Sequence, residues 1–357
     1  MLDHYVTFGD EQIAVRLVGI PDAIASEVEW ELGGAYAMRT TPPPAPIFCS
    51  IVFEMLDVSP IYARFADHTP AVLLQHKSNN PSETATLLVY EDGGDRWVAF
   101  PSGTIWAGIS GEKRSITFLA RATDDVGIQI RRLLTNSLYV PALESRGYLT
   151  LHAGLLASGD SSLLIAGPSG SGKTSVCLAL LSERNDLAYG SCERAHARPS
   201  RIGVQALPCP EAVTVMKGTL VAITPLQHLA SGADHSELWA DSCKKRIPWR
   251  RLTEALHVSH LTTPMDVAGI LYPHYDPALG DEIALTNLHD ESSKRGALLG
   301  ADVTGSDGVR AEWLGWFTPR GQEACIGHIL DLPAWTLRWG SMSALTTNTS
   351  VLIDLMS

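Results

Sequence analysis

The sequence predicts an α/β protein in which a phosphate-loop domain follows a smaller β-rich one. Three observations predict it. Gly167-Pro168-Ser169-Gly170-Ser171-Gly172-Lys173-Thr174 matches G-x-x-x-x-G-K-[ST]. This stretch lies between a short apolar run suited to a buried strand, Ser162-Leu163-Leu164-Ile165-Ala166, and Ser175 to Leu181, a run without Gly or Pro that reads as a helix. Residues 1 to about 120 hold short β-prone runs separated by turn signals.

Bulk properties narrow the class. With 357 residues the chain suits two domains. Its 45% hydrophobic and 18% charged content is that of an ordinary globular protein. The formal net charge of −12 argues against nucleic acid as main partner, because phosphate-backbone binding shows as a basic excess. No apolar run is long enough to span a bilayer, so no membrane association is expected. Met1 to Val6 carries no export signal, and the six scattered cysteines read as reduced structural thiols. The expected location is cytoplasmic.

In the first domain, placed at residues 1–122, strands are expected at Tyr5–Phe8, Ile13–Val18, Ala85–Tyr90 and Ser115–Ala120. Turns are expected at Asp92-Gly93-Gly94-Asp95, Pro101-Ser102-Gly103 and Ser110-Gly111-Glu112-Lys113. Pro42-Pro43-Pro44 and Pro46 form a stiff extended loop. No chemical constellation stands out here, so the segment reads as a recognition or scaffolding domain.

The second domain is placed at 123–357. Thr123-Asp124-Asp125 reads as a helix start, followed by Val126, Ile130, Leu133, Leu134 and Leu138 at helical spacing to Pro141, which is expected to end or kink the helix, with Arg131 and Arg132 on the exposed face. Tyr148 to Ala157 reads as one strand. Ser158-Gly159-Asp160-Ser161 turns it into the strand before the loop, an antiparallel entry unlike the usual parallel βαβ one. In the loop itself Gly167, Gly170 and Gly172 let backbone N–H groups turn inward, with Ser169, Ser171 and Ser175 beside them. Lys173 reaches the outer phosphates and Thr174 presents a hydroxyl to Mg²⁺. ATP and Mg²⁺ are the cofactors this pattern implies.

A His-bearing strand, a hairpin and G-x-S-G-x-G-K-[ST] together resemble the catalytic domain of HPr kinase/phosphorylase. The HPr-kinase-like kinases found beside bacterial lasso-peptide genes are similar. The matching residues are Leu151-His152-Ala153-Gly154, Leu163 to Thr174 and the following helix, then Leu207-Pro208-Cys209-Pro210 through Val213-Thr214-Val215-Met216-Lys217-Gly218. The likeness covers residues 145–220 well and the rest loosely. It implies an α/β domain of the HPr-kinase type, with a mixed sheet and flanking helices, and possible self-association. It also implies phosphorylation of a hydroxyl acceptor, a serine of a peptide or protein or a small metabolite, in a tailoring role such as natural-product biosynthesis. Relatives end a strand in two adjacent acids, one of them the proton acceptor. Here Tyr189-Gly190-Ser191-Cys192-Glu193-Arg194 keeps only Glu193, and Val215-Met216 stand where a second metal carboxylate is expected. Glu193 is thus the candidate base and metal ligand, and His152 a charge-stabilising or proton-handling group. A strand-end carboxylate and a half-buried histidine are the plain readings of both. Cys192 lacks a sequence neighbour that would activate a thiol.

Further on, Thr219 to Ile223 reads as a strand. Lys244, Lys245 and Arg246, with Arg250 and Arg251, form a basic cluster that either approaches phosphate or substrate or is a solvated helix start. Val267 to Pro273 reads as a buried strand ending at the proline. Trp313, Trp316, Trp335 and Trp339 read as packing anchors. Two functions remain open: an ATP-dependent kinase, and a nucleotide-binding regulator or assembly partner without transfer. A motor-type hydrolase fits less well, since no acid ends a long apolar strand downstream.

Overall fold

The structure, a computed structural model, describes residues 3–8, 13–32, 36–44, 46–55, 58–77, 84–100, 105–120, 126–209, 211–231, 244–300, 316–318 and 320–356. It is mixed α/β, with two large mixed sheets and flanking helices, divided into two compact units. The first holds residues 1–32, 36–145 and 305–319; the second holds 33–35, 146–304 and 320–357.

The first unit carries β1 (His4–Phe8), β2 (Ile13–Val18), α1 (Asp22–Leu32), β3 (Tyr36–Arg39), β4 (Ile47–Met55), α2 (Ser59–Phe65), β5 (Val72–Lys77), β6 (Thr84–Asp92), β7 (Asp95–Ala99), β8 (Ile105–Ser110) and β9 (Ser115–Ala120). Its sheet runs β3-β1-β2-β4-β9-β8-β7-β6-β5. Only β2–β4 and β4–β9 pair in parallel: the first crossover passes through α1 and β3, the second through α2 and β5–β8, and β5 to β9 are joined by successive hairpins. Pro21 ahead of α1 and Asp22 in its first turn are start signals that the sequence reading passed over. The Asp92–Asp95 and Ser110–Ser115 turns close hairpins as expected. The 101–103 turn and the 123–125 helix start lie outside the described residues.

The next helix belongs to this unit and not to the second, which moves the boundary from 122/123 to 145/146. The reason is packing: α3 (Val126–Arg132) lies against α1, and a Cβ at Gly127 would run into the Glu27 carboxylate. Arg131 is buried, contrary to its expected exposure. Leu133–Tyr139 is a π-helical stretch leading into α4 (Val140–Glu144). Pro141, expected to end or kink this helix, does not end it; the irregularity is the π-helical stretch just before the proline. The proline sits in the first turn of α4, where a missing N–H costs little, and the wider π turn removes the clash with a preceding carbonyl.

The second unit holds β10 (Leu149–Leu151), β11 (Ala153–Ser158), β12 (Ser161–Ala166), α5 (Lys173–Glu183), β13 (Leu187–Ser191), β14 (Ala195–Pro199), β15 (Val204–Leu207), β16 (Val213–Met216), α6 (Lys217–Ala222) and α7 (Gln227–Ser231). It continues with β17 (Lys244–Ile247), α8 (Trp249–Leu256), β18 (Ser259–His260), β19 (Met265–Tyr275), β20 (Ile283–Asn287), α9 (Glu291–Gly300), α10 (Gln322–Asp331), β21 (Ala334–Trp339), α11 (Met342–Thr347) and α12 (Thr349–Ile353). The main sheet runs β10-β14-β15-β19-β12-β11-β13-β18, with β21 beside β19 and β20 outside it. β11 and β12 pair antiparallel as the hairpin signal implies, whereas β12–β19 and β19–β21 are parallel.

Helices cover both faces. Leu163, Ile165, Leu271 and Leu337 pack with α5, α6, α8, α11 and α12; Leu164, Ala166, Ile270 and Tyr272 pack with α9 and α10. A strand covered on both sides reads as a continuous apolar run, which is why Ser162–Ala166 was legible. Three expectations change. Tyr148–Ala157 breaks at His152, because β10 pairs with β14 and β11 with β12 and β13. Thr219–Ile223 belongs mostly to α6, not a strand: Leu220 is inserted into the core on the α5 face. β19 runs past Pro273 to Tyr275, since its pairing to β12 stops at Leu271 and the missing N–H breaks no ladder there.

Candidate functional site

One edge of the second unit's sheet collects the loop and its neighbours. Antiparallel registers Ala153↔Ala166 and Leu155↔Ser191 bring the start of β11, the end of β12 and the end of β13 together. Parallel registers Ile165↔Leu271 and Tyr275↔Trp339 put the ends of β19 and β21 there too. His152, residues 167–172, Cys192-Glu193, Tyr275 and Trp339 therefore share this edge.

The glycine-rich loop runs from Gly167 to the N-cap of α5, Gly172. Gly170 has φ 88° and Gly172 φ 96°, in the left-handed region that only glycine enters without strain. Gly172 offers no side-chain cap, so the first-turn N–H groups of α5 point at the loop's mouth, the positive end of the helix dipole. Pro168, Ser169 and Gly170 are exposed at the crown. Lys173 is 5% exposed, and its Nζ donates to Gly167 O at 2.7 Å and Pro168 O at 2.9 Å. The Ser171 hydroxyl is buried with no hydrogen-bond partner. Thr174 is half-buried in the first turn, while the Ser175 hydroxyl lies 3.0 Å from that of Thr219, turned towards α6.

The Trp339 indole packs against Gly172 so closely that a Cβ there would overlap it. Gly172→Ala is expected to lower stability by about 1–3 kcal/mol, from a forced left-handed backbone plus that overlap. Gly218→Ala in α6, where a Cβ meets nothing within 4 Å, should be neutral or stabilising. Urea unfolding midpoints of the two variants check this.

His152 is tied to the loop, since its carbonyl accepts from Gly167 N at 3.5 Å. Its Nε2 is 3.9 Å from Glu193 Oε2, both side chains being a little over a quarter exposed. Glu193 Oε1 accepts from Thr214 N at 2.9 Å. So Glu193 is neither lost to solvent nor sealed in; it is held beside the loop with one oxygen open. Among the described residues no group of three or more His, Cys, Asp or Glu could hold a metal ion, which leaves Glu193 and Thr174 as the expected ligands without a cluster around them. Cys192 is buried, and its hydrogen bond to Cys177 and its burial push the thiol well above its ordinary range. It stays protonated and inert.

The basic cluster divides. Lys244, Lys245 and Arg246 lie on β17, a strand and not a helix start, while Arg250 and Arg251 open α8 beyond Pro248. Arg246 pairs in register with Thr214, the residue whose N–H holds Glu193, and its Nη2 donates to Ala212 O at 3.5 Å. Lys244 is exposed at the far end of that pairing, opposite Met216. Of the three, Arg246 is the register partner of the residue that holds Glu193.

Sequence reasoning missed several residues at this edge. Arg194 Nε is 3.1 Å from Glu211 Oε2, and the nearly buried Glu211 anchors the segment that carries Glu193. His196 is buried, with Nδ1 3.1 Å from Thr150 Oγ1. Burial and nearby Arg194 lower its pKa from 6.5 to about 3. Between those values the unfolded chain binds a proton that the fold refuses, so stability falls as pH drops from about 6.5 towards 3. The slope from this one group approaches about 1.4 kcal/mol per pH unit. Urea unfolding at pH 7 and pH 5 should show a larger loss for the native chain than for His196→Gln. Trp339, expected as a packing anchor, packs against the loop itself. Trp316 lies against Phe48 in the first unit, and Trp313 is outside the described residues.

No family model matches this chain, and no curated protein matches it.

Proposed function

We propose that the second unit is a phosphate-loop kinase domain of the HPr-kinase type that moves the γ-phosphoryl group of ATP to a hydroxyl. The observation that carries this reading is the Glu193–His152 pair beside a glycine-rich loop whose first N–H is bonded to His152. The loop fits a phosphate chain: the uncapped α5 terminus, two left-handed glycines and the buried, unsatisfied Ser171 hydroxyl all ask for an anion.

In this reading the backbone of residues 167–174 cradles the phosphates. Lys173 leaves its two loop carbonyls to meet the outer phosphate oxygens. Thr174 would hold Mg²⁺, which neutralises phosphate charge. Glu193 Oε2 takes the proton of the acceptor hydroxyl; the hydroxyl oxygen bonds to the γ-phosphorus as the bond to the bridging oxygen breaks and ADP leaves. His152 and Arg246 offset the charge on the transferring group. The acceptor is a serine of a peptide or protein, or a small metabolite.

One observation favours a second reading. With Oε1 already bound to Thr214 N, a single open oxygen on a single acid suits a slow or silent site, a nucleotide-gated binding partner. Incubation with Mg²⁺, [γ-³²P]ATP and a lysate of the source cells separates the two. A discrete labelled acceptor supports the kinase. Tight ATP binding without any labelled acceptor supports the partner.

A further inference from the structure

Two aromatic residues stand beside the loop. Tyr275 ends β19 and Trp339 ends β21, and they are register partners. Alternation along β19 puts Tyr275 on the same side as Leu271, the side covered by α5. The two rings sit 4.7 Å apart at an interplanar angle of 48°. Trp339 is 5% exposed and wedged against Gly172, yet its indole N–H is buried without a hydrogen-bond partner. Tyr275 is the opposite case, with 46% of a large aromatic side chain in solvent at the end of a core strand. The strand ends are pinned around it: Arg338 pairs with Asp276, and the Ser341 hydroxyl donates to Asp281 at 2.6 Å.

A buried indole, itself packed on Gly172, backing an exposed phenol ring is a stacking surface next to the loop. We propose that Tyr275, buttressed by Trp339, is the platform on which the nucleobase stacks, which rests on the reading of the loop as a triphosphate site. Stacking uses the π-face that every base has, so the platform accepts adenine and guanine alike.

The test compares ATP with inorganic tripolyphosphate, both with Mg²⁺, on the full chain by calorimetry. Tyr275→Ala is expected to weaken ATP about 10–100-fold and to leave tripolyphosphate unchanged, with Tyr275→Phe restoring ATP. GTP should follow ATP through the series. Equal ATP affinity in Tyr275→Ala and the native chain overturns the platform alone. A parallel loss of both ligands also overturns it, because the ring then serves the loop and not the base. If the native chain binds neither ligand, the triphosphate reading of the loop itself has failed.

Discussion

Replacing Glu193 with Gln is expected to lower phosphoryl transfer by about 10²–10⁴ while MgATP affinity changes little. The substitution separates base from scaffold. The amide oxygen of Gln can still accept from Thr214 N at the position Oε1 holds, so the segment between β13 and β14 stays in place. The Arg194–Glu211 pair next to it is untouched. What disappears is the open carboxylate oxygen that faces His152 and would take the hydroxyl proton. Rates at saturating ATP, read beside separately measured dissociation constants, distinguish a lost base from lost binding. An equal fall in affinity would instead make Glu193 chiefly a metal ligand.

Lys173→Ala is expected to affect both quantities. Its amine is the only side-chain cation that the loop motif supplies, and a hydrogen bond to a charged group contributes about 1.5–3 kcal/mol, or roughly 10–100-fold in MgATP affinity. Removing a donor that follows charge into the transition state should cost a further ~10²–10³ in transfer rate. The structure adds a complication that the motif does not contain. Nζ already bridges Gly167 O and Pro168 O, so the lysine also closes the loop on itself before any phosphate arrives. The variant should therefore lose some stability without ligand. Lys173→Arg would keep the charge but not the fit in a pocket where the side chain is 5% exposed.

What could be read from the sequence was what local pattern controls. Ile13–Val18 and Ser115–Ala120 are strands with the expected bounds, and the 158–161 turn makes the expected hairpin. The apolar run before the loop is a core strand because both its faces are covered. The failures share another cause: partners far along the chain. Nothing local shows that Leu149–Leu151 and Ala153–Ser158 choose different neighbours, so the bend that puts His152 at the loop was invisible. Thr219–Ile223 carries β-branched residues, yet the demand of the α5-side core for Leu220 wins over propensity. Glu193 could be named from the resemblance, but the N–H that orients it comes from Thr214, 21 residues away. Trp339 is 167 positions beyond Gly172, by the difference of their numbers, and only the parallel register of β21 on β19 brings it to the loop. Arg131 was misjudged for the same reason, since α3 packs on a helix a hundred residues earlier, by the same kind of count.

The most direct test of the central claim is a single-turnover experiment with Mg²⁺ and [γ-³²P]ATP, saturating protein and the acceptor found in the lysate. The native chain, Glu193→Gln and Lys173→Ala are compared after ATP binding to each has been measured. The account predicts rapid label transfer by the native chain, bound but untransferred ATP on Glu193→Gln, and weakened binding in Lys173→Ala. Label transfer at the native rate by Glu193→Gln would contradict it, and so would a native chain that holds ATP and phosphorylates nothing.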